Sequence, residues 1–239
     1  MTERIKKALD FLKETFDSSE YWKTRPAAKA YRFDHSIRVA KYAKIVAEAE
    51  NLDSEALQVA ALLHDISYGL DFDIKKSKYY SEPCPELDGL SHEDLIMHHG
   101  YVSALHSMKF VESLGFDEDT KNQILYAVGT HIKYPENSKL VGQETLFTKT
   151  LCNCDELDHV SSFRFYEDFT EFNFTNQNQE ARQQWVWDTK GYTQHQMEHL
   201  YLDMRTETAK KLFKENCDFR FSILENLQKI IDASNSGTL

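Results

Sequence analysis

The stretch AALLHDISYG, residues 60–69, sets a histidine and an aspartate at the end of a run that otherwise reads as protein interior. A buried, unpaired carboxylate is costly, so Asp65 requires a compensating cation: an arginine or lysine, a histidine, or a metal ion. Any fold open to this chain must deliver that cation to the end of its most apolar segment.

The longer run NLDSEALQVAALLHDIS opens on an Asp53/Ser54 cap signal and is apolar on nearly all sides, the pattern of a central helix, with Gly69 placed to end it. Other helical patterns surround it. Residues 3–16 predict a first amphipathic helix, and DSSEYWKTRPAAKAYRFD reads as a link rich in turn and aromatic residues. HSIRVAKYAKIVAEAE then resumes a helical rhythm with Val39, Ala43 and Val46 on one stripe, and His35, one turn before Val39, shares that inner face. Residues 70–90, with Pro83, Pro85, Lys75, Lys76 and Lys78, read as a loop or lid.

Ser91 and Asp94 form a cap signal for a helix carrying His98 and His99, continued or restarted at Gly100. DEDTKNQILYAVGTHIKYP predicts a capped helix whose Ile124, Ala127 or Val128, and His131 share a face, stopped by Pro135. In ETLFTKTLCNCDELDHV, Phe147, Leu151 and Asp155 recur at i, i+4 and i+8, which puts Asp155 on an apolar stripe. From residue 163 the chain is aromatic-rich and then helical, and the tail SNSGTL is expected to fray. The expected organisation is a core domain with its N-terminal helix over 1–160 and a helical extension over 161–239 packed on the same domain.

Composition agrees with an all-α chain: 41% hydrophobic and 28% charged residues with only 8 Gly and 4 Pro among 239. A formal charge of −11 argues against a large nucleic acid or an anionic membrane as the main partner, since both need a basic footprint. Small anionic substrates stay compatible if metal ions supply local positive charge. The first residues lack an apolar signal-like region and no later segment has 18 unbroken apolar residues, so a soluble, cytoplasmic protein is expected. The four cysteines make no CxxC pair and read as reduced, buried structural thiols, Cys152 and Cys154 included.

His35, His64, Asp65, His99, His131 and Asp155 each fall on the inward face or at the end of a separate expected helix, and helices around one core bring such residues together. The pattern resembles the HD superfamily of metal-dependent phosphohydrolases. The resemblance rests on DHSIRVA, AALLHDI, HHGYVSALH, ILYAVGTHI and LCNCDELDH, and covers roughly residues 30–160. It implies an all-α HD-domain helical bundle with additional C-terminal helices, and a minimal ligand set of His35, His64, Asp65 and Asp155. The additional His99 and His131 resemble the version that binds two metals, and HHG with AVGTH is especially similar to the enzymes that split bis-nucleoside tetraphosphates. Two departures are the CD where AD is usual before the last leucine–aspartate, and the absence of a GYP motif, which disfavours the cyclic-di-GMP phosphodiesterase branch.

Histidine and carboxylate donors suit one or two divalent ions, Fe, Mn, Co, Ni or Zn, with Mg admissible. Two ions about 3.5–4 Å apart can share one carboxylate and clamp the attacking and leaving oxygens of a phosphoryl group. Asp65 is the expected bridge and catalytic residue, with His35, His64 and Asp155 completing one ion and His99 and His131 the other. Left without metal, the latter two would line the pocket of a one-ion site. His98 competes with His99 for the inward direction, since adjacent residues point about 100° apart on a helix; the glycine that follows favours His99 and leaves His98 a substrate-side residue.

Arg38, one turn after His35, is the leading candidate to grip phosphate, followed by Lys133, with the lysines of 70–90 weaker. His92, His106, His159, His195 and His199 are expected at the surface or behind the site, and Asp158 as an orienting or surface charge. The cluster FRFYEDFTEFNF is expected to serve core or dimer packing rather than base stacking, and a homodimer is compatible with it.

The reading that follows is a phosphohydrolase in which metal-bound hydroxide attacks phosphorus of a small phosphate ester or anhydride, a nucleotide being the leading class. A di-iron oxygenase and a non-catalytic nucleotide-sensing module are the alternatives. Oxygen uptake distinguishes the first, and metal-replete inertness toward phosphates the second.

Overall fold

In the computed structural model, which describes residues 1–132 and 134–235, helices and short 3-10 turns account for all regular structure among the described residues. The all-α expectation holds. The chain divides into two units, Met1–Asp155 and Glu156–Leu239.

The first unit is assembled around α4 (Ser54–Leu63), whose residues Ala56, Leu57, Val59, Ala60, Ala61, Leu62 and Leu63 are all buried. A helix apolar on every side must be covered on every side. Here α1 (Glu3–Ser18), α3 (Pro26–Glu50), α6 (His99–Ser113) and α7 (Glu118–Thr130) cover it. Side-chain caps set the helix starts: Asp53 accepts from Ala56 N–H at 2.9 Å, Asp117 from Thr120 N–H at 2.8 Å, and Ser91 from Asp94 N–H at 3.1 Å to open the short α5 (His92–Met97). The last helix of the unit, α8 (Leu146–His159), carries Phe147 and Leu151 into the interior and ends in the second unit.

Two sequence expectations are corrected. The stretch read as a link is largely helical: α2 spans Glu20–Lys23, and α3 starts at Pro26, nine residues before His35. Proline is tolerated at the first helical position, and the alanines that follow are strong helix formers, so the aromatic residues between them did not break the helix. Gly69 does not end α4, which stops at Leu63; it sits in a 3-10 turn, Ile66–Leu70, that closes at Asp71. Its lack of a side chain serves contact instead, because a Cβ there would lie 2.7 Å from Thr15 Cγ2 and 3.1 Å from the Thr15 carbonyl carbon.

Residues 70–90 contain one further 3-10 turn, Ile74–Lys76, and form a loop anchored from within: Leu70, Ile74, Cys84 and Leu87 are buried against Tyr101, Val102 and Leu105 of α6. Its lysines are engaged with carboxylates, Lys75 with Asp88 at 3.0 Å, Lys76 with Asp71 at 3.1 Å and Lys78 with Glu14. These pairs speak for the surface-charge explanation of the three lysines.

The second unit consists of the end of α8, α9 (Ser162–Glu171), a 3-10 turn at Phe174–Asn176, and the helices α10 (Gln179–Asp203) and α11 (Glu207–Asn235). The last two run antiparallel, with Gln183 and Gln228 exchanging amide hydrogen bonds at 2.6 and 2.7 Å. Phe165, Phe174, Val186, Leu224 and Ile231 form its core, packed by Phe169, Phe172 and Trp185, so the aromatic cluster of the sequence is largely interior packing. No helix among the described residues is long and apolar enough to cross a membrane.

Candidate metal centre

The helix α4 ends where its chemistry begins. His64 follows its last residue, and Asp65 leaves helical geometry (φ −107°, ψ 13°) to start the 3-10 turn. That turn is tied to α6 by two hydrogen bonds, Ser67 N–H to Ser103 Oγ at 3.1 Å and Ser67 Oγ to the His99 carbonyl at 2.8 Å. The register between Asp65 and His99 is therefore fixed by the hydroxyls of Ser67 and Ser103, each bonded to the backbone of the other segment.

Asp65, 3% exposed, is the hub. Its Oδ1 lies 3.0 Å from His99 Nε2, 3.7 Å from His64 Nε2 and 3.8 Å from His131 Nε2, while Oδ2 lies 3.6 Å from His35 Nε2 and 3.8 Å from Arg32 Nη1. Asp155, from α8, places Oδ1 3.1 Å from His35 Nε2 and 3.7 Å from His64 Nε2. The six residues singled out from the sequence thus converge, within the first unit, from α3, the end of α4, the start of α6, the end of α7 and α8. Two donor groups, His35–His64–Asp155 and His64–Asp65–His131, each have ligand atoms within 4.8 Å of one another.

Three of the histidines repeat one device. His64, His99 and His131 each hold Nδ1 2.7 Å from the carbonyl three residues earlier, those of Ala61, Ile96 and Val128. A carbonyl accepts only, so Nδ1 carries the proton and the lone pair of each neutral ring is on Nε2, facing the cluster. His131 reaches it because α6 has a glycine at the crossing: a Cβ on Gly100 would lie 2.8 Å from the His131 ring and from the Val128 carbonyl oxygen.

The electrostatics follow from this crowding. Burial alone would raise the Asp65 carboxyl, but the surrounding His64, His99 and His35 hold it well below the usual carboxylate range. Burial lowers His131 to about 4, with repulsion from His64 and His99 adding to it, whereas Asp65 overcomes burial at His99 and raises it. Donor set and spacing fit divalent metal: imidazole nitrogens 3.1 and 3.2 Å apart in the pairs His99–His131 and His35–His64, beside two carboxylates, all aimed at shared points.

The remaining candidates fare differently. His98 does not join the cluster; it is buried with Nδ1 2.7 Å from the Asp94 carbonyl, in line with the choice of His99 as the inward residue. Arg38 is buried on α3, and Lys133 lies outside the described residues. Arg32 brings a guanidinium to Asp65; it also stacks 4.1 Å from the centre of the Tyr68 ring and is 32% exposed. Tyr68 in turn packs its ring 5.5 Å from His99, and burial followed by the charge of Asp65 raises its hydroxyl, keeping it protonated.

Sequence reasoning missed both residues. Arg32 stands one turn before His35 as Arg38 stands one turn after it, a signal that was lost once residues 17–34 were read as a link. His106, expected at the surface or behind the site, is 2% exposed and has its own partners in Thr15 and Ser77.

Comparison with known proteins agrees with this architecture. The family model described as the HD domain matches residues 32–159, more than half of the chain and all six convergent residues. No curated protein matches. A solved structure described as a predicted HD superfamily hydrolase from an uncultured Thermotogales bacterium is similar in fold, with a TM-score of 0.56 and 19% identity over 95% of this chain and 91% of that one. With its histidines and aspartates arriving from five helices at one buried carboxylate, this chain belongs to the HD domain family.

Proposed function

We propose that the protein is a metal-dependent phosphohydrolase acting on a small phosphate ester or anhydride, a nucleotide being the leading substrate class. The observation that carries this reading is the Asp65 carboxylate, whose two oxygens face different imidazoles: His99, His64 and His131 lie on the Oδ1 side and His35 on the Oδ2 side. One carboxylate so placed can serve two ions, with His35, His64 and Asp155 on one and His99 and His131 on the other. Divalent ions held there supply a strong nucleophile at neutral pH and neutralise charge on a phosphoryl group.

The protein's own residues do the positioning. The backbone carbonyls of Ala61, Ile96 and Val128 hold three rings in the tautomer that presents Nε2 to an ion, so none of these three has to change tautomer on binding. Arg32 is the group placed to receive the anion. Among the described residues its guanidinium makes only the 3.8 Å ion pair with Asp65 and lies against aromatic rings, so its N–H donors remain available to phosphoryl oxygens. Once the Asp65 carboxylate is committed to metal, the pull on Arg32 weakens and the guanidinium is freer to turn to substrate. The Tyr68 ring, stacked against the guanidinium and packed beside His99, keeps it near the site.

The test is elemental analysis of anaerobically purified protein, followed by a panel of nucleotides and phosphate esters with the metal restored. Metal-dependent phosphate release that needs no dioxygen, abolished by Asp65→Ala, is the expected result. Turnover that requires oxygen uptake, or undiminished hydrolysis in Asp65→Ala, would overturn the proposal.

A further inference from the structure

We infer that His195 and His199 form a second metal-binding site, on the surface of the C-terminal unit, for ions that prefer imidazole: Zn2+, Ni2+ or Cu2+. It is independent of the HD centre and of the activity proposed for it.

The two residues are four apart in α10, so the helix stacks them one turn apart on the same face. Their ring centroids are 4.3 Å apart with planes tilted by 45°. The pairs at the buried centre have centroids 5.0 Å (His99–His131) and 5.2 Å (His35–His64) apart, so the surface pair is at least as close as pairs whose nitrogens already share a point. Both rings are exposed, and small rotations about their side-chain bonds can turn one nitrogen of each onto a common ion without disturbing any packing.

The pair lies in the C-terminal third of a 25-residue helix whose last turn contains no basic residue, so no side chain of that turn brings positive charge to it. Glu198, between the two histidines in sequence, is turned to Gln194, which donates to it at 2.7 Å. The donor set is accordingly two imidazoles. Such a set discriminates against Mg2+ and Ca2+, which want oxygen ligands, and holds the later first-row ions. Water completes the coordination, so this site is weaker than the six-residue centre. Metal counts on the intact chain would then exceed what the HD centre holds.

The test compares the untagged full chain with His195→Ala, His199→Ala and the double variant, using Zn2+ titration by calorimetry and the electron paramagnetic resonance of added Cu2+. The substituted side chains are exposed, so circular dichroism and hydrolytic activity should match the unsubstituted chain. The expected result is one fewer Zn2+ bound by the double variant, loss of a two-nitrogen Cu2+ signal, and early elution from immobilised Ni2+. Each single variant should bind roughly tenfold or more weakly, because the second imidazole acts as an intramolecular ligand. Equal Zn2+ stoichiometry in the intact chain and the double variant, or full affinity in either single variant, would overturn the inference.

Discussion

His99 and His131 face each other with their Nε2 atoms 3.1 Å apart, while the Nδ1 of each ring is committed to a backbone carbonyl. In the neutral state both facing nitrogens are acceptors, and two lone pairs at that distance repel unless a cation lies between them or beside them. In the absence of metal the Asp65 carboxylate, 3.0 Å from His99 Nε2, favours a proton there and eases the repulsion. A divalent ion does so better because it serves both rings and the carboxylate together. Metal binding must therefore appear as stability. Saturating Mn2+, Co2+ or Zn2+ at about a hundred times its dissociation constant should add about 2.7 kcal/mol, roughly 5–10 °C in the melting temperature of a unit this size. Asp65→Ala should lose that metal-induced shift, as read by scanning calorimetry with and without chelator.

Gly100 tests how closely α6 and the end of α7 must approach. By helix propensity alone, Gly→Ala in a helix gains about 1 kcal/mol. The added Cβ would lie 2.8 Å from the His131 ring and the Val128 carbonyl oxygen, neither of which is the loose end of a flexible chain. Overpacking of this kind costs about 1–3 kcal/mol, so the clash outweighs the propensity gain. Because the ring moves, the loss should fall on metal affinity more than on folding: Gly100→Ala should bind the ion served by His99 and His131 roughly 10–100-fold more weakly, the usual scale for misplacing a ligand. Titration of the apo variant with Mn2+ checks this, and unchanged affinity would argue that His131 lies outside the coordination sphere.

If Arg32 receives the phosphoryl group as proposed, its variants separate substrate binding from metal binding. Its donors are uncommitted and it touches Asp65 only at 3.8 Å, so Arg32→Ala should leave metal content unchanged. Loss of charge-assisted, bidentate hydrogen bonds to a phosphoryl group costs about 1.5–3 kcal/mol, which predicts a roughly 10–150-fold fall in kcat/KM. Arg32→Lys should recover little, since a point charge neither forks onto two oxygens nor stacks on Tyr68 as a planar guanidinium does. Steady-state kinetics alongside metal analysis decides the point; parallel loss of metal would make Arg32 a support for Asp65 instead.

The centre was legible in the sequence because its residues violate local rules. A carboxylate at the end of the apolar run 56–63, an aspartate on the Phe147–Leu151 stripe and histidines at helix ends all stand out against the periodicity of their own segments. What the helical period cannot convey is which helix end meets which, so the pairing of His99 with His131 and the hub position of Asp65 emerge only in three dimensions. Arg32 was hidden for a local reason: the proline and aromatic residues of 17–34 mimic a link, while Pro26 at the first turn and the alanines behind it extend α3 by more than two turns. Likewise a histidine such as His106 carries no sequence mark of burial, since its partners come from α1 and from the loop after Ile74–Lys76, distant in the chain.

Buried charge without matching hydrogen bonds is the weak point of the second unit. Arg220 is 1% exposed, its Nε and Nη2 find no hydrogen-bond partner among the described residues, and Asp168 Oδ2 is 3.8 Å away on a carboxylate whose other oxygen, Oδ1, is paired with Arg164 at 2.8 Å. The desolvation of such a guanidinium is poorly offset, so an apolar residue of similar length should serve at least as well. Because Asp168 keeps its pair with Arg164, Arg220→Met is expected to leave stability unchanged or raise it in urea denaturation. A large loss would show that the guanidinium has partners in solution, ordered water above all.

His106 makes the acid stability of the first unit predictable. Ser77 Oγ accepts from the N–H groups of Tyr79 and Tyr80 at 3.2 and 3.1 Å, so its own proton points to His106 Nδ1 at 2.7 Å. The ring proton is then on Nε2, directed at Thr15 Oγ1 at 3.1 Å, and Thr15 passes its proton to the Phe11 carbonyl at 3.0 Å. Every donor has one acceptor, and a second proton on His106 would break the chain at Ser77. Burial, with the nearby Lys78 adding to it and Glu14 opposing, lowers the imidazole to about 4 from its ordinary 6.5. The unfolded chain therefore takes up the proton first as pH falls. The contribution of His106 is fully present above pH 6.5, declines between 6.5 and 4, and levels off below, for a total of up to about 3 kcal/mol. Urea midpoints measured across that window should fall more steeply for the unsubstituted chain than for His106→Gln, which keeps a donor and an acceptor but cannot titrate. Parallel slopes in the two proteins would place the acid sensitivity in other groups.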